Sequence, residues 1–191
     1  MKALIQTGSS GRVPVPPEKR FLINPMRNHN WFWKEGEDAN VWPLDELVEK
    51  YETSVGRSCN LLLNANPNTD GLIPEADFKR YAEFGRALQK RYGTPLGSVS
   101  AAYGARSLTL KLPQPATVSR IMFGERIEFG QCVRAYELSG KTTDGSEVIL
   151  AKGSSVGHKR IEAVAPSVLR EIKLRVAESS GETHLEAMSV F

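Results

Sequence analysis

Apolar positions in this chain keep two different periods, and the change from one to the other divides it. From Leu44 onward, Leu44, Leu47, Val48, Tyr51 and Val55 recur at helical spacing. Pro43 suits the first turn of such a helix, Asp45 and Glu46 complement its dipole, and Gly56 supplies a stop. The run Asn60-Leu61-Leu62-Leu63-Asn64-Ala65 then reads as a short strand buried on both faces, as in parallel sheets. A turn follows at Asn66-Pro67-Asn68-Thr69-Asp70-Gly71. The next helix starts near Pro74, carries Phe78, Tyr81, Gly85 and Leu88 on one face, and runs to Gly93. Helix, buried strand, loop and helix are the grammar of a (β/α) barrel or a doubly wound sheet.

Beyond about residue 97 the period drops to two. Leu108, Leu110 and Leu112 alternate with polar residues, as do Ile172, Leu174 and Val176. Further strands are predicted over Thr117–Phe123, Gln131–Leu138, Glu147–Ala151, Lys159–Val164 and His184–Phe191, with turns at Asp144-Gly145 and Ser180-Gly181. About seven or eight short strands without helices predict a sandwich or jelly roll. The fold class is therefore α/β plus all-β.

Residues 1–26 have neither period. Gly8, Ser9, Ser10 and Gly11 are followed by Pro14, Pro16, Pro17 and Pro25, which exclude helix and predict an extended or disordered lead-in. The domains expected are this lead-in, residues 27–93, and residues 97–191.

Composition narrows the function classes. With 25 Lys plus Arg against 22 Asp plus Glu, and no basic stripe, a nucleic-acid partner is not expected. No run approaches the ~20 apolar residues that span a bilayer, and the N-terminus lacks the ~7–15-residue apolar core of a signal peptide. Cys59 and Cys132 make neither a disulfide framework nor a metal motif, and His29, His158 and His184 lie far apart, so no metal or other cofactor is expected.

One set of motifs is specific. Trp31-Phe32-Trp33, then Ser54-Val55-Gly56-Arg57 closing a helix, then Leu61-Leu62-Leu63-Asn64 through Pro67 to Gly71-Leu72-Ile73 resembles the α-L-fucosidases of the retaining, plant and bacterial type. The segments Ile121–Leu138 and Ser155–Ile161 resemble the galactose-binding-like β-sandwich at the C-terminus of the same enzymes. The resemblance runs from about residue 27 to residue 191. It implies the terminal βα units of a (β/α) barrel followed by a jelly-roll, galactose-binding-like β-sandwich, acting on fucosylated glycans.

Retaining glycosidases need a nucleophile and an acid/base, two carboxylates about 5–5.5 Å apart. The resemblance places the nucleophilic aspartate upstream of the Trp31 cluster, in a region this sequence does not match. The acid/base glutamate belongs about six residues before Arg27, where Phe21 stands, and Ile23 replaces an aspartate. Glu18 is the remaining candidate, if about three residues are inserted. Asp70 reads as a turn aspartate.

Residues that the resemblance leaves for sugar are Trp31 and Trp33, whose flat rings suit sugar C–H groups, with Arg27, His29 and Asn64 beside them. On the sandwich, His158, Lys159 and Arg160 are candidates to grip a glycan hydroxyl. The expected function is that of a C-terminal piece of an α-L-fucosidase, inactive alone. The alternatives are a non-catalytic carbohydrate-binding or structural sandwich, or half of a split enzyme whose barrel a partner chain completes.

Overall fold

The computed structural model describes residues 4–7, 11–14, 22–28 and 30–191. Three strands lie within the stretch read as a lead-in. β1 (Leu4–Thr7) and β2 (Gly11–Pro14) pair antiparallel, and β3 (Leu22–Pro25) joins a later strand. The prolines forbid helix there but permit strand, and β2 and β3 each end on one. Helix α1 (Leu44–Ser54), strand β4 (Leu61–Asn64) and helix α2 (Glu75–Tyr92) follow. Strands β5 (Gly97–Ser100), β6 (Ser107–Glu125), β7 (Val133–Thr142), β8 (Glu147–Gly153), β9 (Arg160–Ser179) and β10 (Leu185–Val190) complete the chain. Among the described residues no helix is long and apolar enough to cross a membrane.

Two compact units result, one built from β3, α1, β4 and α2, the other from β1–β2, residues 56–58 and residues 94–191. In the first, β3 and β4 pair in parallel, from Leu22↔Leu61 to Pro25↔Asn64. Met26, Trp42 and Leu47 form its buried centre, with Leu63, Tyr81 and Phe84 against them. Tyr51 of α1 meets Phe84 and Tyr92 of α2 at ring distances of 6.3 and 6.0 Å. Burial departs from expectation at two places. Successive strand residues face opposite ways, so Leu63 enters the core while Leu62 is exposed. On α2, Phe78 is exposed and Asp77 is the one buried residue.

The second unit is a six-stranded antiparallel sheet in the order β5-β10-β6-β9-β7-β8, mostly antiparallel pairing that makes a sandwich-like domain. Its core alternates as predicted, with Leu108, Leu110, Leu112, Ile172, Leu174 and Val176 inside and Leu108 opposite Leu174. Six strands replace the expected seven or eight because two are long. β6 spans 19 residues and β9 spans 20, each joining segments that the sequence reads as separate strands. Their mutual register shifts between Lys111 and Ala116, where Pro113 and Pro115 stand, and again between Val118 and Arg120, opposite Pro166. Proline removes a ladder donor, so each interruption is a register shift within a strand rather than its end.

Candidate functional site

Parallel strands β3 and β4 end side by side, and the chain leaves each into a loop at the same edge. Sites in parallel α/β folds form at the carboxyl ends of strands. The first loop is closed at its base. Met26 donates to Asn64 O at 3.0 Å and accepts from Trp42 N at 3.0 Å, and Arg27 bridges to Val41. Trp42 anchors the return by donating Nε1–H to Pro25 O at 3.0 Å, with Lys50 Nζ 3.9 Å from its ring centre.

Arg27 holds the loop from inside. It is wholly buried, donating from Nε to Asp77 Oδ2 at 2.9 Å and from Nη2 to Asp38 Oδ1 at 2.8 Å. Burial works against its charge, but the two carboxylates outweigh that and raise its pKa. Burial pushes the Asp77 carboxyl up despite the guanidinium, and Tyr81 is raised by burial and then by the Asp77 charge. Arg27 Nη1 and Asp77 Oδ1 have no hydrogen-bond partner among the described residues. A chain of amides completes the scaffold. Asn64 Nδ2 donates to Asn66 Oδ1 at 2.9 Å, Asn66 Nδ2 to Asn30 O at 2.6 Å, and Asn30 Nδ2 to Glu37 Oε2 at 2.9 Å.

On this frame Trp31 and Phe32 are exposed, Trp31 by 54%, and Trp33 is half-buried. Arg27, Asn64, Trp31 and Trp33 therefore share one end of the unit, though Arg27 is an internal brace rather than an open contact. Glu18 and His29 lie outside the described residues. Asp70 is exposed in a turn in which Asn68 Oδ1 accepts from the amides of Asp70 and Leu72 at 3.0 Å. Asp77, Asp38, Asn66 and Trp42 are the residues that sequence reasoning passed over. Asp77 lies in the first turn of α2, where an acid is explained by the dipole alone.

The sandwich unit has its own polar cluster at the start of β9. Residues 56–58 run against it, with Ile161 N donating to Gly56 O at 2.8 Å and Arg57 bridging Arg160. Glu162 accepts from Arg57 Nη1 at 3.2 Å, Arg160 Nε at 2.7 Å and the Tyr136 hydroxyl. Burial, then the Glu162 hydrogen bond, keeps Tyr136 protonated far above its usual range. His158 N donates to Ser58 Oγ at 3.0 Å, and its Nδ1 lies 2.9 Å from the same oxygen. Arg160 and His158 are thus engaged within the unit, and a cleft of about 170 Å³ opens beside His158, Lys159 and Glu186. No group of three or more metal-ligating side chains occurs among the described residues.

No family model matches the chain. Among curated proteins it is similar to Alpha-L-fucosidase 1 of Arabidopsis thaliana, 27% identical over 184 residues, spanning 79% of this chain and 35% of that protein. A crystal structure of a Bacteroides thetaiotaomicron protein described as an α-L-fucosidase superposes with a TM-score of 0.82 at 36% identity, over 87% of this chain and 39% of its own. The chain is homologous to part of the GH29 α-L-fucosidases. It spans about a third of the length of the Arabidopsis relative. A Ruminococcus gnavus GH29 fucosidase solved in complex with fucose shares the fold over 87% of this chain and 40% of its own, at TM-score 0.77 and 22% identity.

Proposed function

We propose that this chain is the C-terminal part of an α-L-fucosidase. Residues 27–93, extended back to β3, are the last βα units of a catalytic (β/α) barrel, and residues 97–191 are a jelly-roll, galactose-binding-like sandwich. The complete enzyme removes terminal α-L-fucose from glycans. The observation that carries this reading is the braced loop at the carboxyl ends of β3 and β4, which holds Trp31 and Trp33 where such folds bind ligands. In the complete barrel their rings take the apolar face of the sugar. Asn64, through Asn66, and Arg27, through Asp38, fix the loop that carries them.

This part positions sugar and does not break the glycosidic bond. Asp77 and Asp38 are committed to Arg27, and Glu37 accepts from Asn30. The two carboxylates about 5–5.5 Å apart that retention requires belong to the barrel segments this chain does not match. Leu62, Leu72 and Phe78, exposed by 58%, 64% and 66%, are faces that those segments cover, in the same polypeptide or in a partner chain.

The test is a chimera joining the unmatched portion of the Bacteroides thetaiotaomicron relative to residues 22–191. It is expected to hydrolyse an aryl α-L-fucoside, and the isolated chain is not. A folded chimera that unfolds cooperatively yet shows no turnover overturns the barrel reading. Turnover by the pure isolated chain, abolished by Glu18→Gln, overturns its inactivity.

A further inference from the structure

Three loops of the sandwich unit meet at a cluster of rings that no packing role absorbs. Tyr103 comes from the β5–β6 loop, Phe129 from the turn between β6 and β7, and His184 from the β9–β10 loop. Tyr103 and Phe129 stand at 88° to each other, 5.8 Å between centres, and His184 lies 4.8 and 4.5 Å from them. The histidine is only 6% exposed, whereas Tyr103 is 67% and Phe129 48% exposed. A ring recruited to cap the core would be covered; these two offer surface to solvent.

The cluster is built, not fortuitous. Arg126 N donates to His184 O at 2.8 Å and Thr183 Oγ1 to Ala105 O at 3.2 Å, which ties the loops together. Gly104 takes φ +71°, and a Cβ there would stand 3.2 Å from Glu182 Oε1, so glycine lets that carboxylate lie close. Glu182 remains largely exposed beside the rings, its Oε2 3.9 Å from His184 Nε2. The buried imidazole keeps Nδ1 without a hydrogen-bond partner among the described residues.

We infer that Tyr103, Phe129 and His184, with Glu182, form a binding site for a single pyranose ring of a glycan. Aromatic faces suit the C–H side of a sugar and exclude water from it. An adjacent carboxylate accepts hydrogen bonds from hydroxyls, and charge makes those bonds strong. A purely apolar protein contact would not need the acid, and a cation site would not need the rings. The choice of fucose as first sugar rests on the proposed function; the platform itself does not.

Ligand-observed saturation-transfer NMR on the full chain, with methyl α-L-fucoside and methyl β-galactoside as probes, tests this. Transfer to at least one glycoside is expected, weakened about tenfold or more in Tyr103→Ala and in Glu182→Gln. Because Tyr103 is so exposed, Tyr103→Ala should melt with the parent, which keeps a loss of binding interpretable. Transfer to the galactoside alone upholds the platform and removes fucose as its sugar. No transfer to either probe, or transfer unchanged in both variants, overturns the inference. Self-association that Tyr103→Ala abolishes, without sugar binding, also overturns it and makes the patch a protein contact.

Discussion

Arg27 Nε lies 2.9 Å from Asp77 Oδ2, joining residues 50 apart in sequence, and neither side chain retains any exposed surface. Removing one member of a buried pair strands the other charge, at about 3–5 kcal/mol, whereas replacing both with apolar groups is often neutral. Arg27 keeps Asp38 when Asp77 is lost, so Asp77→Ala is expected to cost about 3 kcal/mol, the low end of that range, in urea unfolding of the α/β unit. The double variant Arg27→Met with Asp77→Leu should recover most of it. An Asp77→Ala variant as stable as the parent would show that the pair braces nothing. Acid should not act through this group: its pKa is raised, so the native state takes up the proton more readily than the unfolded chain as pH falls.

The tryptophans separate by role. Trp42 is 9% exposed and donates to Pro25 O, while Trp31 is 54% exposed. Trp42→Ala is expected to cost about 3–5 kcal/mol, and Trp31→Ala less than about 0.5 kcal/mol. Thermal melts of the two variants check this. Equal losses would mean that the Trp31 loop is packed rather than presented.

This contrast marks how much the sequence discloses. Spacing locates both helices and the inward positions of β6 and β9, and an apolar run locates β4, but neither foretells that Leu62 and Phe78 are exposed. The motif around Trp31, Arg57 and Asn64 was enough for the family. Strand continuity was not legible: Pro113, Pro115 and Pro166 look like breaks, and only the pairing of β6 with β9 reveals that both strands run on through two register shifts. The brace was also hidden, since Arg27, Asp38 and Asp77 have no common spacing and meet only once β3, the loop and α2 are folded. The Tyr103–Phe129–His184 cluster draws on three loops distant in sequence, so no local pattern announces it.

The β7–β8 turn carries a measurable pH dependence. Asp144 accepts from the Thr142 hydroxyl, and from Ser146 N and Oγ at 3.0 and 3.1 Å. The Thr142 bond first, then the Ser146 bonds, lower its pKa below the ordinary 3.8. A depressed carboxylate adds stability above its unfolded pKa, and that stability is lost as pH falls through the folded value. The melting temperature of Asp144→Ala should thus lie below the parent's by a constant amount above pH about 5, and the gap should narrow below pH about 4. A gap that stays constant down to pH about 2 refutes the assignment.

Glu125 ties two loops of the sandwich to the end of β6. It is 1% exposed; Oε1 accepts from Cys132 N at 2.9 Å and Val133 N at 3.0 Å, and Oε2 accepts from Gly157 N at 3.0 Å. Its own amide donates to Gly157 O at 2.7 Å, so the end of β6 holds two separate loops. In Glu125→Ala three amides lose their acceptor, each at about 1–3 kcal/mol if left buried. A total loss of several kcal/mol is expected, which rivals the stability of a whole domain. Glu125→Gln keeps one carbonyl oxygen and should fall between the two. Hydrogen exchange distinguishes this from general loosening: the amides of Cys132, Val133 and Gly157 should lose protection first, ahead of the Leu108–Leu112 ladder. Uniform loss across the sheet, or an alanine variant that melts with the parent, would show that the carboxylate is not what fixes these loops.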